Sequence, residues 1–289
     1  MIYLSWDTQP RKPLTRLPVN ACDCSVHVFG PADDPGLDLA RKYDPPAATI
    51  DDLQRVHTQL GIQRAILVQA SIYGTDHSVL IDSLRRDPLR YRGIAIVDDS
   101  ISDEELGRLH HSGVRGARYN MLSRSGARFD EGLLHRTAQR IAAKGWTLSL
   151  HGAMEDFLRH QASLRPLRLP TIIDNLAYFD AAADCADQGL ALLKALLDTG
   201  NWWIKISRAD LRCTPPYDDT LDTVRRVVAL RPDRIVWGTD WPHVLYGATD
   251  SVMPNDADLV DLLARQVPDA SVREMILSTN PARLFGFTD

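Results

Sequence analysis

The residues best able to do chemistry fall in a few short runs. In Gly238-Thr239-Asp240-Trp241-Pro242-His243 a carboxylate follows directly on the apolar stretch Ile235-Val236-Trp237. A carboxylate entering such partly desolvated surroundings can serve as a general base or a metal ligand. The ordinary alternative is an Asp that caps a turn or pairs with an Arg. In Asp23-Cys24-Ser25-Val26-His27, residues two apart on a strand share a face, so Ser25 and His27 point the same way. A lone inward His is also often just a hydrogen-bonded core residue. Arg115 and Arg118 are three apart and therefore face opposite sides of a strand. Arg118 is expected to point inward, where it needs an anion or a carboxylate partner. Arg208 and Arg212 follow another apolar run and could clamp a substrate carboxylate, or simply be solvated. His151 and His77 could each bind substrate or line the surface. His110 and His111 end a helix, and His57, His135 and His160 fall in helical patterns, so all five read as structural. G-x-S-x-G is absent, and Cys24 is a weak nucleophile candidate.

These side chains must be positioned by something, and the chain has a rhythm that can do so. Short apolar runs read as strands at 21–27, 65–68, 91–97, 113–119, 146–151, 170–174, 202–207 and 234–238. Helical patterns lie between most of them: 50–60 with Thr49 as N-cap, one opening at the Ser102/Glu105 capping box, 131–144, 154–164, 188–198 and 217–230. Alternating strands and helices imply parallel βαβ units, and eight in one chain fit a closed, distorted (β/α)8 TIM-type barrel. An open doubly wound sheet would want a Gly-rich phosphate loop after the first strand, where the chain has Phe29-Gly30-Pro31. A single domain over 1–289 is expected, with 1–20 an N-terminal extension and 256–289 closing helices. In a barrel the chemistry sits at the C-terminal strand ends. Those ends carry Ser25 and His27, then Ser71 and Thr75, Arg118, His151, Asp174 and Asn175, then Lys205, Ser207 and Arg208, and finally Asp240 and His243.

The totals narrow the field. The 289 residues carry a net charge of −5, 44% hydrophobic and 25% charged residues, as in a globular protein that does not bind nucleic acid generally. No run is long and apolar enough to span a membrane, and 1–17 has no signal-peptide h-region. Four scattered Cys suit a reducing cytoplasm. Of 33 basic residues only five are Lys, an excess of Arg that GC-rich coding explains unless some of them bind anions.

The series Asp23 to Pro31, Val68-Gln69-Ala70-Ser71 with Gly74-Thr75-Asp76, Arg115 to Asn120, Trp237 to His243 and Asn280-Pro281-Ala282-Arg283-Leu284-Phe285 resembles the amidohydrolase-2 family of the amidohydrolase superfamily. The style is that of its 2-pyrone-4,6-dicarboxylate lactonases, and Leu4-Ser5-Trp6 and Lys42-Tyr43 are similar too. The resemblance implies a distorted barrel that hydrolyses or isomerises lactones without a metal. By motif, Asp240 would handle the proton of the attacking water, with Ser25 and His27 as the strand-one pair, Arg118 as the strand-four Arg, and Ser71 and Thr75 as the strand-two hydroxyls. The chain departs from the family where H-x-H is Ser25-Val26-His27, and where Ile-Asp-His-Met-Gly-Arg is Ile173-Asp174-Asn175-Leu176-Ala177-Tyr178. The strand-five Tyr is His151. A metal held by His27 and Asp240 alone would lack the three protein ligands of a catalytic zinc site. The expectation is therefore an enzyme with no metal and no cofactor, acting on a small lactone or similar cyclic ester that bears a carboxylate. Asp240 and His27 would be catalytic; Arg118, Ser71, Thr75, His151, Asn175, Tyr178, Arg208, Arg212, Ser25 and His243 would bind substrate. The alternatives are an inactive barrel that binds a small acid, or a metal hydrolase with compensating ligands such as His151 or His77. No oligomeric state is predicted.

Overall fold

Parallel strands covered on both faces must be apolar almost throughout, and that is why short runs such as Arg64–Val68 and Trp202–Ile206 become barrel staves. The computed structural model describes residues 3–288 except 32, 42, 184, 185, 212, 245 and 247–251. Its strands are β1 (Cys22–Val26), β2 (Arg64–Val68), β3 (Tyr91–Ala95), β4 (Val114–Asn120), β5 (Thr147–His151), β6 (Thr171–Ile173), β7 (Trp202–Ile206) and β8 (Ile235–Trp237). They pair in sequence order, parallel throughout. The helices are α1 (Ile50–Leu60), α2 (Ser78–Arg86), α3 (Asp103–His111), α4 (Glu131–Ala142), α5 (Met154–Leu164), α6 (Ala186–Asp198), α7 (Leu221–Leu230), α8 (Asp256–Gln266), α9 (Ala270–Glu274) and α10 (Asn280–Phe285). This is a single-domain (β/α)8 fold, as the alternation predicts. No helix among the described residues is long and apolar enough to cross a membrane.

The expected strands are all present, most of them a residue or two shorter. One helix, α2, has no counterpart in the expectation. No side chain caps its start at His77, so the usual opening signal is missing. The helix expected from Tyr217 starts at Leu221, because Tyr217 adopts φ 66° and a short 3-10 turn intervenes.

The barrel closes where the chemistry-bearing runs meet. Asp240 N donates to Ser25 O at 2.8 Å and His27 N to Trp241 O at 2.8 Å, joining β1 to the segment after β8. Gly238 makes this seam possible, since a Cβ there would lie 2.5 Å from Ser25 N. Asp23 locks it. One of its oxygens accepts from Ser25 N at 3.1 Å and Thr239 N at 3.0 Å, the other from Thr239 Oγ1 at 2.6 Å.

The two ends of the barrel differ. At the N-terminal end Phe285 and Phe287 pack on the interior layer of Cys22, Cys24, Ile66, Ile94, Ile172 and Val236, which makes a solid floor. The tail thus closes the barrel from below. Residues of the 1–20 segment pack elsewhere: Trp6 meets the Trp241 ring at 5.1 Å, and Leu14 N and Thr15 N donate to Asp261 of α8.

Candidate active site

The C-terminal strand ends hold two buried carboxylates, each with its own cations. Asp240 is 5% exposed. Its Oδ1 accepts from Ser25 Oγ at 3.2 Å and lies 3.6 Å from His27 Nε2, while its Oδ2 accepts from Arg208 Nη1 at 2.8 Å. Burial pushes this carboxyl up, but Arg208 and His27 outweigh it and hold the group far below the usual carboxylate range. His27 Nδ1 sits 2.7 Å from the Val68 carbonyl, so that nitrogen carries a proton and Nε2 is the one turned to the site.

Arg208 is shared. Its Nε lies 3.2 Å from Asp210, which also accepts from the Tyr246 hydroxyl. Burial lowers the guanidinium pKa, but Asp240 and Asp210 more than reverse this and raise it. One cation therefore stands against two carboxylates.

The second carboxylate, Asp174, follows β6. Lys205 Nζ, from β7 and 1% exposed, lies 2.9 Å from its Oδ1, and Ser149 Oγ donates to the same oxygen at 2.7 Å. Arg118 Nε is 3.7 Å from Oδ2 and makes no hydrogen bond there among the described residues. Burial raises the Asp174 pKa, but Lys205 and Arg118 dominate and lower it. Here two cations stand against one carboxylate.

A chain of neutral groups runs along the mouth beside Asp174. Ser207 Oγ donates to Asn175 Oδ1 at 2.7 Å, Asn175 Nδ2 donates to the Tyr178 hydroxyl at 3.1 Å, and that hydroxyl is 2.9 Å from His151 Nε2. Burial first, then Arg118, pushes His151 down to about 3, so its ring is neutral and its Nε2 accepts from Tyr178. Asn175, Leu176, Ala177 and Tyr178 all have φ near +50°. A left-handed turn of non-Gly residues costs about 1–2 kcal/mol per residue. Asp240 (φ 67°), Arg208 (φ 59°) and His243 (φ 59°) are also left-handed, so strain concentrates around this mouth.

The expected residues thus separate. Asp240, His27, Ser25 and Arg208 form one cluster; Arg118, Asn175, Tyr178 and His151 form the other with Asp174 and Lys205. Ser71 is exposed near the Tyr43 hydroxyl, and Thr75 is exposed in the following turn. His243 is fully buried, its Nε2 2.8 Å from Asp256. Burial lowers the His243 pKa, but Asp256 outweighs it and raises it. Arg212 lies outside the described residues. His77 bonds to the Ile96 carbonyl at 2.9 Å and faces Glu105, away from both clusters.

Several contributors had no role assigned from sequence, Asp174 and Ser207 among them, and three more are instructive. Lys205 carries a readable signal, a lone Lys inside Trp202-Trp203-Ile204 and Ile206. Asp23 is the clasp of the seam. Tyr43, in the loop after β1, is close enough to Arg118 and Asp240 to sense both charges, and burial raises its phenol. Nothing in the spacing of Tyr43 announces this.

No three His, Cys, Asp or Glu side chains converge among the described residues. The donor set does not fit a three-ligand metal centre, because Ser25 and Asn175 are poor ligands and Arg208 takes one Asp240 oxygen.

A parallel barrel with an acid, a histidine and arginines at its C-terminal strand ends defines a TIM-barrel enzyme. The chain belongs to the amidohydrolase family Amidohydro_2, which it matches over residues 22–287. It is 34% identical to a 2-pyrone-4,6-dicarboxylate hydrolase of Comamonas testosteroni, covering 98% of this chain and 95% of that one. It is 32% identical to a 4-sulfomuconolactone hydrolase of Hydrogenophaga intermedia, covering 93% and 90%. An apo crystal structure from Agrobacterium tumefaciens superposes with a TM-score of 0.84 at 26% identity, covering 98% and 99%.

Proposed function

We propose that the protein is a lactone hydrolase that works without a metal ion on a ring bearing a carboxylate or a similar anionic group. The observation that carries this reading is Asp240, an ionised carboxylate between His27 and Arg208, two strands away from a cluster with spare positive charge. Its relatives act on lactones that their names mark as dicarboxylated or sulfonated.

In this mechanism Arg118 receives the substrate anion, since Asp174 is already satisfied by Lys205. Asn175, Tyr178, His151, Ser71, Thr75 and Tyr43 shape the rest of the mouth. Asp240 takes a proton from water as the oxygen attacks the lactone carbonyl. The carbonyl oxygen becomes anionic and accepts hydrogen bonds from Ser25 and from the Nε2–H of His27 in its doubly protonated form, the Nδ1–H staying on the Val68 carbonyl. When the tetrahedral intermediate collapses, the ring C–O bond breaks and the departing oxygen takes the proton back from Asp240. If a hydroxyl of the substrate attacks in place of water, the same steps give an isomerase.

A carboxylate held so low is a weak base until something loosens it. The negative charge that develops on the carbonyl oxygen competes with Asp240 for His27, which raises the basicity of the carboxylate as the water attacks. The buried free thiols Cys22 and Cys24, with sulfurs 3.8 Å apart, support a reducing compartment such as the cytoplasm.

The test is a panel of pyrone and sugar lactones, assayed in excess chelator and in ¹⁸O-labelled water. Ring opening that persists with chelator and places one ¹⁸O in the new carboxylate is expected. Activity restored only by an added divalent ion would give the reaction to a metal. A rearranged lactone without label would identify an isomerase, and binding without turnover an inactive barrel.

A further inference from the structure

The barrel's opposite end carries a second concentration of charge. A cavity of about 450 Å³ is lined by Arg85, Arg92, Arg108, His111, Gly113 and Arg115, with no Asp or Glu in its wall. Arg92 and Arg115 are the second residues of β3 and β4, so the cavity lies at the N-terminal end of the strands, remote from Asp240.

The four arginines are not equally neutralised. Arg108 is paired with Glu105 at 2.6 and 2.7 Å, and exposed Arg85 reaches Asp82 at 3.4 Å. Arg92 and Arg115 have no carboxylate partner among the described residues. Arg92 Nη1 donates to Pro88 O at 2.6 Å and Tyr91 O at 2.8 Å, its Nη2 makes a longer bond to Gly286 O at 3.4 Å, and its Nε is buried without a hydrogen bond. Arg115 Nη1 donates to His110 O at 2.8 Å and Val114 O at 2.7 Å. Burial lowers both guanidinium pKa values, and for Arg92 the neighbouring Arg115 adds to the effect.

Carbonyl bonds near helix ends explain why arginines are tolerated there. They do not explain why two half-buried guanidinium groups face one space with no counter-charge. Such an arrangement is completed by an anion, because each guanidinium offers a planar fork to a phosphate or carboxylate. The volume lies within the range of small-molecule sites and exceeds what one phosphate fills.

We propose that this cavity is a second, non-catalytic site for a small multivalent oxyanion, held chiefly by Arg92 and Arg115 with Arg85 and His111 at its rim. Phosphorylated and polycarboxylated molecules share this chemistry. Calorimetric titration with inorganic pyrophosphate and with tricarballylate, at a fixed ionic strength of about 0.15 M, separates the two sources. One of them is expected to bind with one-to-one stoichiometry. Arg115→Gln should weaken that binding at least about tenfold, the lower bound for a charge-assisted bond. Arg92→Gln also strips packing from Phe287, so Arg115→Gln and the exposed Arg85→Gln, each checked for a native circular dichroism spectrum, are the decisive variants. Arg118→Gln, in the mouth, should leave the binding unchanged. The proposal is overturned if neither probe binds, if Arg115→Gln binds as wild type does, or if Arg118→Gln abolishes the binding.

Discussion

Asp240 and Asp174 are both buried carboxylates at barrel strand ends, and both are held below the usual range by cations. Their partners differ. Asp174 is surrounded: Lys205, Ser149 and Arg118 occupy it from inside the barrel. Asp240 shares its single guanidinium with Asp210 and keeps a histidine at 3.6 Å, a distance at which a reacting atom can intrude. The Asp174 cluster has a cation to spare, and the Asp240 cluster has a carboxylate to spare. One side of the mouth is thus built to attract an anion and the other to accept a proton. A substrate that bridges them is oriented by its own charge.

The largest effect expected from this contrast is on rate. Asp240→Asn should lower kcat by about 10²- to 10⁴-fold, the range of a general base. Its urea midpoint should fall less than that of Asp174→Asn, since Arg208 retains Asp210. Asp174→Asn should do the reverse in kind. It leaves Lys205 buried without its carboxylate, and breaking such a pair costs about 3–5 kcal/mol, which a urea titration would read. If Asp174→Asn proved neutral in stability while Asp240→Asn unfolded the protein, the two roles would be exchanged.

A smaller effect concerns pH and activity. Arg208 is the strongest charge lowering Asp240. Arg208→Gln should therefore move the acid limb of the kcat/KM profile to higher pH by a unit or more, alongside a loss of kcat/KM. An unmoved limb would dissociate Arg208 from the base.

The smallest effect concerns pH and stability. His151 has its pKa depressed to about 3 in the fold, against about 6.5 when unfolded. The unfolded chain binds the proton first, so this stability is complete above about 6.5 and is lost as pH falls toward about 3, by at most about 1.4 kcal/mol per pH unit. Asp174 and Asp240 are depressed carboxylates, whose contribution disappears only below about pH 4. His151→Gln should flatten the stability curve between about pH 6 and 4 and leave the steeper loss below it. Equal slopes in the two proteins would mean that His151 is not held neutral by its surroundings.

Much of this was legible in the chain. The barrel follows from eight short runs that must be apolar on both faces, and Asp240 and His27 stand out because each is an ionisable group at the end of such a run. The pairings were not legible. Arg208 turns onto Asp240 because residue 208 adopts φ 59°, a conformation that no rule assigns to an Arg. The left-handed turn at Asn175–Tyr178 joins His151 to Ser207 through three hydrogen bonds, and this depends on tertiary contacts between β5, β6 and β7. Tyr43 reaches the mouth from a long loop, where periodicity has nothing to report. The Arg excess is now divided among helix surfaces, the floor's cavity and two positions in the mouth.

The most direct test is a crystal structure of Asp240→Asn with a lactone that the wild type consumes, trapped intact. The account predicts the ring carbonyl oxygen within hydrogen-bonding distance of His27 Nε2, its carbonyl carbon beside residue 240, and its anionic group on Arg118. A lactone carbonyl seated against Asp174 and Lys205, with the anion on Arg208, would contradict it.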